Sequence, residues 1–154
     1  MRLIDYFDRG VSRNPQGACL IDGERTLTFT QTSELTHRLA NGLIAHGMKP
    51  LMVGAVLSPN GIDAFACILG LLRAGMAWMP LNARNSLDDN IYIMDSNDCA
   101  WLFYHSSFDK DMAAIRLGAR HIQGYVCVDK PNGADPWLYD WLKGFDSPAP
   151  YIAA

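Results

Sequence analysis

Apolar positions along this chain fall into short blocks whose period switches between helical and extended. Leu3, Ile4, Phe7 and Val11 recur on one face, predicting a helix over Leu3–Ser12 that Asn14-Pro15 breaks. Ala18–Ile21 and Leu27–Phe29 are strand-like, and Asp22-Gly23 between them signals a turn, so a hairpin is expected. Leu35, Leu39, Leu43 and Ile44 form one stripe of a helix over Ser33–His46 that stops at Gly47. Met52–Leu57 is continuously apolar, as a buried strand is. Pro59-Asn60 turns the chain, and Asn60 is placed to cap a helix over Ile62–Ala74. That helix carries Ile62, Phe65, Ala66, Leu69 and Leu72 with little polarity opposite, so burial on most sides is expected.

Gly75 follows Arg73 and Ala74 as a left-handed C′ residue should, because it has no Cβ to clash. Ala77–Met79 is apolar enough for a buried strand, which Pro80 must end because it brings no N–H to a ladder. Ser86 is placed to cap a helix running to Ser96, with Asp88 and Asp89 near the positive end of its dipole. Cys99–Tyr104 is a further strand. Ser107 is expected to cap a helix over Phe108–Leu117, stopped by Gly118. Tyr125–Val128 reads as a strand, and Pro136 opens a short helix bearing Trp137, Leu138, Trp141 and Leu142. Strand and helix alternate after the hairpin. The expected class is α/β: a layered, largely parallel sheet flanked by helices, with an N-terminal β-hairpin. The expected unit is 1–144, and GFDSPAPYIAA shifts to small residues and prolines, so 145–154 reads as a linker toward further chain.

Composition adds limits. A chain of 154 residues suits one domain, and 49% apolar with 19% charged residues describes an ordinary globular protein. The net charge of -3 and the scattered Lys and Arg argue against a nucleic-acid partner. MRLIDYFDRG has acids early and no long apolar run, unlike a signal peptide. Ala64–Met79, the most apolar window, is interrupted by Arg73 and Gly75 and is too short to span a bilayer, so no membrane partner is expected. Cys19, Cys67, Cys99 and Cys127 are widely spaced in apolar segments, which reads as structural thiols in a reduced, cytoplasmic compartment rather than metal ligands.

Few residues invite a chemical role. Gly61, Gly70 and Gly75 do not form G-x-G-x-x-G, and mid-helix Gly70 fits close helix packing better than dinucleotide binding. His37, His46, His105 and His121 sit on separate elements and read as surface or locally bonded groups. Asp88 and Asp89 diverge by about 100° on a helix and cannot act as a pair. Trp137 and Trp141 share a helical face that reads as packing; Met76, Trp78 and Met79 read as core. Asn82 and Arg84, in the loop after Pro80-Leu81, are the candidates to approach a ligand, although an ordinary loop role is the simpler reading. No catalytic residue and no metal ligand is assigned, and the cofactor-binding residues stay unknown.

LLRAGMAWMPLN followed by IYIMDS closely resembles a core motif of the adenylate-forming (AMP-binding) superfamily, which includes acyl-CoA synthetases, peptide-synthetase adenylation domains and luciferases. Leu72, Arg73, Ala74, Gly75, Pro80, Leu81, Tyr92, Asp95 and Ser96 match the pattern in order and spacing. LTFTQTSELTHRLANGL, from Leu27 to Leu43, is similar to the family's Leu-Thr-Tyr segment, with Phe29 in the tyrosine's place. VGAVLSPNGIDAFACILGLL resembles the strand, Pro-Asn turn and helix between them. The likeness is closest from Pro15 to Phe103 and looser elsewhere. It implies the N-terminal portion of the ligase fold and, for the parent protein, an acid–thiol ligase using ATP, Mg2+ and coenzyme A on a carboxylic acid, as in fatty acid metabolism.

The family's Thr-Ser-Gly-Thr-Thr-Gly loop, followed by Pro-Lys-Gly, does not occur between Met1 and Ala154, nor do its later motifs. The chain alone is therefore expected to be inactive, to need no cofactor itself, and to self-associate through surface left by the missing part. The Pro-Leu-Asn loop is nearer to acyl- and aryl-CoA ligases than to peptide-synthetase domains, while Ala83 and Ser86 leave the subfamily open. The alternative is a free-standing binding or regulatory module that kept the scaffold. A flavodoxin-like nucleotide binder shares the α/β alternation but lacks a Gly-rich or Ser/Thr-rich loop after the first strand. The acid, its chain length, the thiol acceptor and the oligomeric state are not legible.

Overall fold

A computed structural model describes residues 2–146. Helix α1, Leu3–Arg13, ends on Asn14 and leads into a hairpin of β1, Ala18–Asp22, and β2, Arg25–Thr28. Gly23 turns the hairpin at φ +57, where a side chain would be strained. Helix α2 spans Phe29–Ala45 and begins a turn earlier than its apolar stripe predicts. The cause is a capping box: the Gln31 amide donates to Thr28 Oγ1 at 3.1 Å, while Gln31 Oε1 accepts from the Thr28 amide at 2.9 Å.

The main sheet is built from β3, Val53–Leu57, β4, Ala77–Pro80, β5, Cys99–Tyr104, and β6, Gly124–Cys127. Its order is β4-β3-β5-β6 and every pairing is parallel. Helix α3, Ile62–Arg73, links β3 to β4; α4, Leu87–Ser96, links β4 to β5; and α5, Met112–Gly118, links β5 to β6. A last short helix, α6, covers Leu138–Leu142. Alternate residues of β5 feed two cores, as a strand buried on both faces must. Trp101 and Phe103 pack with α2, α3 and α6, whereas Leu102 and Tyr104 pack with α4 and α5. Gly70 does mark a close helix crossing, since a Cβ there would lie 2.6 Å from Leu39 Cβ.

Several expectations need correction. Leu3 is exposed, and Ile4 is the buried residue of α1. The N-cap of α3 is Gly61, with no side-chain cap from Asn60. Phe65 is 47% exposed, so α3 is not buried on every apolar side. Strand β4 is the sheet's edge and mostly exposed, not buried, and Trp78 at 38% exposure is not core, although Met76 is. The expected single helix after β5 is a 3-10 turn, Ser106–Asp111, followed by α5; its cap is His105, whose ring accepts from the Ser107 amide. Trp137 is the N-cap of α6, not a residue within it, yet it and Trp141 pack against the core as expected. Trp141 lies 5.7 Å from Trp101 and 5.2 Å from Phe145, ring centre to ring centre. Of the expected linker, Phe145 and Asp146 receive hydrogen bonds from Arg38 and Asn41 on α2; residues 147–154 lie outside the described ones.

Candidate functional site at the carboxyl rim of the sheet

In an open parallel sheet, ligands collect where neighbouring strands send their connections in opposite directions. Here β3 leads outward to β4 and β5 leads the other way to β6, and the two are neighbours. The switch point therefore lies between the ends of β3 and β5. Three loops meet above it: Ser58–Gly61 after β3, Leu81–Ser86 after β4, and His105–Ser107 after β5. Asp129, just past β6, closes the far side.

Two hollows open on this rim. The larger, about 900 Å3, lies between Pro59, Asn60, Asn82, Arg84 and Phe108. The smaller, about 180 Å3, is bordered by Asn60, Asp63, Arg25, His105 and Asp129. Asn82 and Arg84 thus share one hollow. Asn82 shapes its loop by accepting from the Arg84 amide at 2.8 Å, and its carbonyl takes the buried Asn90 side chain at 3.3 Å. Arg84 is exposed at the lip, and none of the ion pairs among the described residues uses it.

Asp129 ties the β5 and β6 exits together. Its carboxylate accepts from the Ser106 amide at 2.8 Å and from the Ser106 hydroxyl at 2.6 Å. The Ser107 amide donates to His105 Nδ1 at 3.1 Å, which leaves the ring proton on Nε2, 3.3 Å from Asp129 Oδ2. Burial works to raise the Asp129 pKa, but the Ser106 hydroxyl and amide and the neighbouring His105 outweigh it, so the carboxyl is held below its usual range. The order Ser107, His105, Asp129 superficially matches a nucleophile relay. The Ser107–His105 contact spans two residues and caps the 3-10 turn, so the group serves as a loop anchor. On the flank, Tyr139 donates to Asp63 at 2.6 Å and Arg25 donates to the same carboxylate at 2.9 Å, joining hairpin, α3 and α6. Burial and the Asp63 bond push the Tyr139 hydroxyl up to about 12.

The motif residues are mostly fasteners. Arg73, 4% exposed, donates to Thr36 Oγ1 at 3.1 Å and forks onto Asp8 at 3.1 and 2.6 Å, locking α1, α2 and α3. Asp95 holds Arg120 from its amide, Nε and guanidinium tip at 2.9–3.2 Å. Ser96 returns its hydroxyl to the Tyr92 carbonyl, while the Tyr92 side chain is 73% exposed. Of the other histidines, His37 and His46 bond carbonyls one turn earlier and His121 faces Asp98, which is the local role expected of them. No spacing in the sequence marks Asp129; its one signal is an acid directly after a buried apolar strand. Among the described residues no His, Cys, Asp and Glu group of three or more could hold a metal, and no helix is long and apolar enough to cross a membrane.

The family model described as AMP-binding enzyme matches residues 7–151. The chain belongs to that family. Membership makes it a relative of ATP-dependent, adenylate-forming enzymes, and the motif resemblance over Leu27–Ser96 is of the same origin. Tyrocidine synthase 3 of Brevibacillus parabrevis is 29% identical over 100 residues, covering 65% of this chain and 2% of the synthase. Surfactin synthase subunit 3 of Bacillus subtilis is 26% identical over 113 residues, 73% of this chain and 9% of that protein. In fold, the chain superposes over 100% of its length on the anthranilate CoA ligase AuaEII, at TM-score 0.91 and 18% identity, covering 30% of that structure. The N-terminal domain of FACL13 from Mycobacterium tuberculosis gives TM-score 0.88 at 17% identity, with 100% and 39% covered. The chain therefore spans less than a tenth of these curated relatives and well under half of the solved chains.

Proposed function

We propose that this chain is the N-terminal portion of an ATP-dependent acyl-CoA synthetase acting on a carboxylic acid in the cytoplasm. The carboxylate attacks the α-phosphate of ATP, pyrophosphate leaves, and a thiol then displaces AMP to give the thioester. The observation that carries the reading is the rim: family loops converge on the switch point of a parallel sheet and leave an open hollow flanked by Asn82 and Arg84. The rim is one wall. Phosphate transfer also needs backbone amides of a Gly/Ser/Thr loop and a lysine, and no such loop lies between Met1 and Ala154. The 154-residue chain is accordingly inactive by itself.

Coenzyme A is the acceptor favoured by the Pro-Leu-Asn loop and by the CoA ligases among the fold neighbours. A second reading, activation of an amino acid for a peptide synthetase, has its own support in the synthetases among the sequence relatives. The test is to detect the native gene product with peptides of this sequence, determine its mass, and supply it with ATP, Mg2+ and a panel of acids with or without CoA. A larger product that forms acyl-CoA supports the proposal. A larger product that adenylates amino acids and ignores CoA favours the second reading. A product of 17.1 kDa would replace both with a non-catalytic module that kept the ligase scaffold.

A further inference from the structure

Asn-Gly occurs three times in this chain, at 41–42, 60–61 and 132–133. The pair carries a chemistry of its own: the amide nitrogen of the second residue can attack the side-chain carbonyl of the first, and glycine puts no Cβ in the way. The fold sets the three pairs apart. Asn41-Gly42 lies inside α2, where the Gly42 amide is committed to the helix ladder and the Asn41 side chain donates to the Asp146 carbonyl at 2.9 Å. Asn132 is tied at both ends of its amide. Its Nδ2 donates to the Tyr104 hydroxyl at 2.8 Å and to Asp109 at 2.9 Å, and its Oδ1 accepts from the Ala134 and Asp135 amides at 3.1 and 3.2 Å. Asn60-Gly61 has no such ties. Asn60 is exposed on the loop between β3 and α3, and its side chain makes no hydrogen bond among the described residues. The Gly61 amide donates to no backbone carbonyl among them. Space does not demand the glycine either: its backbone is extended, at φ 179 and ψ 169, and a Cβ there would lie an ordinary 3.5 Å from Asp22 Oδ2.

We propose that Asn60-Gly61 is a self-modification site, at which the rim gains a negative charge with time. The Gly61 nitrogen bonds to Asn60 Cγ and gives up its proton, and the Cγ–Nδ2 bond breaks, so that ammonia leaves and a cyclic imide remains. Water then opens the imide at either carbonyl. Breaking the new N–Cγ bond gives aspartate, while breaking the bond to the main-chain carbonyl gives isoaspartate, with one more methylene in the backbone. The balance is one amide and one water consumed, one carboxylate and one ammonium released. The new carboxylate stands directly before the N-cap of α3, where the helix dipole favours it, so the fold accommodates the change. Asn60 also borders both rim hollows. In the smaller one the added charge joins Asp22, Asp63 and Asp129, opposite Arg25, and the rim there turns against anions.

The test is peptide mapping of the native gene product after storage in mildly alkaline buffer, either folded or in guanidinium chloride. Each conversion reads as a mass gain of about 1 Da at its Asn, and isoaspartate is labelled by an isoaspartyl methyltransferase. In the folded protein Asn60 should convert faster than Asn41 and Asn132 by about tenfold or more, because those two must first open hydrogen bonds. In guanidinium chloride the three rates should converge. Gly61→Ala, which the 3.5 Å clearance accommodates, should slow Asn60 by about tenfold or more, since its Cβ crowds the attacking nitrogen. Equal rates at the three sites in the folded protein, or an Asn60 rate unchanged by Gly61→Ala, overturn the inference. Conversion at Asn60 about tenfold slower in the folded protein than in the denatured one also overturns it, because the loop would then be held away from the attacking geometry. The readout is mass rather than turnover, so none of these results touches the ligase reading.

Discussion

Arg73 and Asp95 belong to one sequence motif and each holds a forked ion pair, yet their surroundings are opposite. Arg73 is buried and clamps Asp8 and Thr36 across three helices. Asp95 clamps Arg120 on an open surface where 72% of the arginine side chain meets water. A buried guanidinium gives up hydration that only its partners replace, so losing a partner leaves a stranded charge. An exposed pair trades protein contacts for water at almost no cost. Motif membership thus marks position in the frame, and burial decides what each position is worth.

The sharpest way to break this contrast is Asp8→Ala, which leaves Arg73 charged and unpaired. It should destabilise the fold by about 3 kcal/mol in urea unfolding, the lower end for a broken buried pair because Asp8 is partly hydrated. Arg73→Met, which removes the buried charge and keeps apolar stem volume, should cost clearly less; an equal or larger loss would show that the pair is not limited by desolvation. Next comes the crossing that the same clamp holds. Gly70→Ala drives a methyl against Leu39 and should cost about 2 kcal/mol, despite the helix-propensity gain of alanine.

The α4 cap is smaller and independent. Ser86→Ala removes the acceptor for the Asp89 amide, 3.1 Å away, and should lower stability by about 1 kcal/mol. The smallest effect belongs to Asp95. The Arg120 side chain, then its amide, lower the Asp95 carboxyl to about 2. A depressed carboxyl contributes above its unfolded pKa, about 3.9, and loses that contribution as pH falls through 2. The stability gap between wild type and Asp95→Asn should therefore be constant from pH 7 to about 5 and close between about 4 and 2. A gap that closes near neutrality would contradict the assignment of this contribution to the Asp95 carboxyl.

Local chemistry in this chain was legible where it acts within a few residues. Gly75 adopts φ +79 after α3 as its position requires, and Ser86 caps α4. The same kind of signal stands at Thr28 and Gln31, whose spacing is a capping box that starts α2 early. What could not be read depends on sheet order. AWMP has the composition of a buried strand, and only the crossing of α4 to the far side of β3 makes it an edge. The rim is similar: His105 and Asp129, 24 positions apart in sequence, meet because β5 and β6 end side by side, which no periodicity encodes. Arg73 and Asp8, 65 residues apart, meet by helix packing alone.

The most direct measurement is ATP–pyrophosphate exchange, run on the purified 154-residue chain and on the native gene product with the same panel of carboxylic acids. A rim that is one wall of an adenylation site predicts no exchange from the chain and acid-dependent exchange from a longer native product. Acid-dependent exchange by the chain alone would contradict the account, because it would mean that these rim loops hold and turn over the nucleotide without the Gly/Ser/Thr loop.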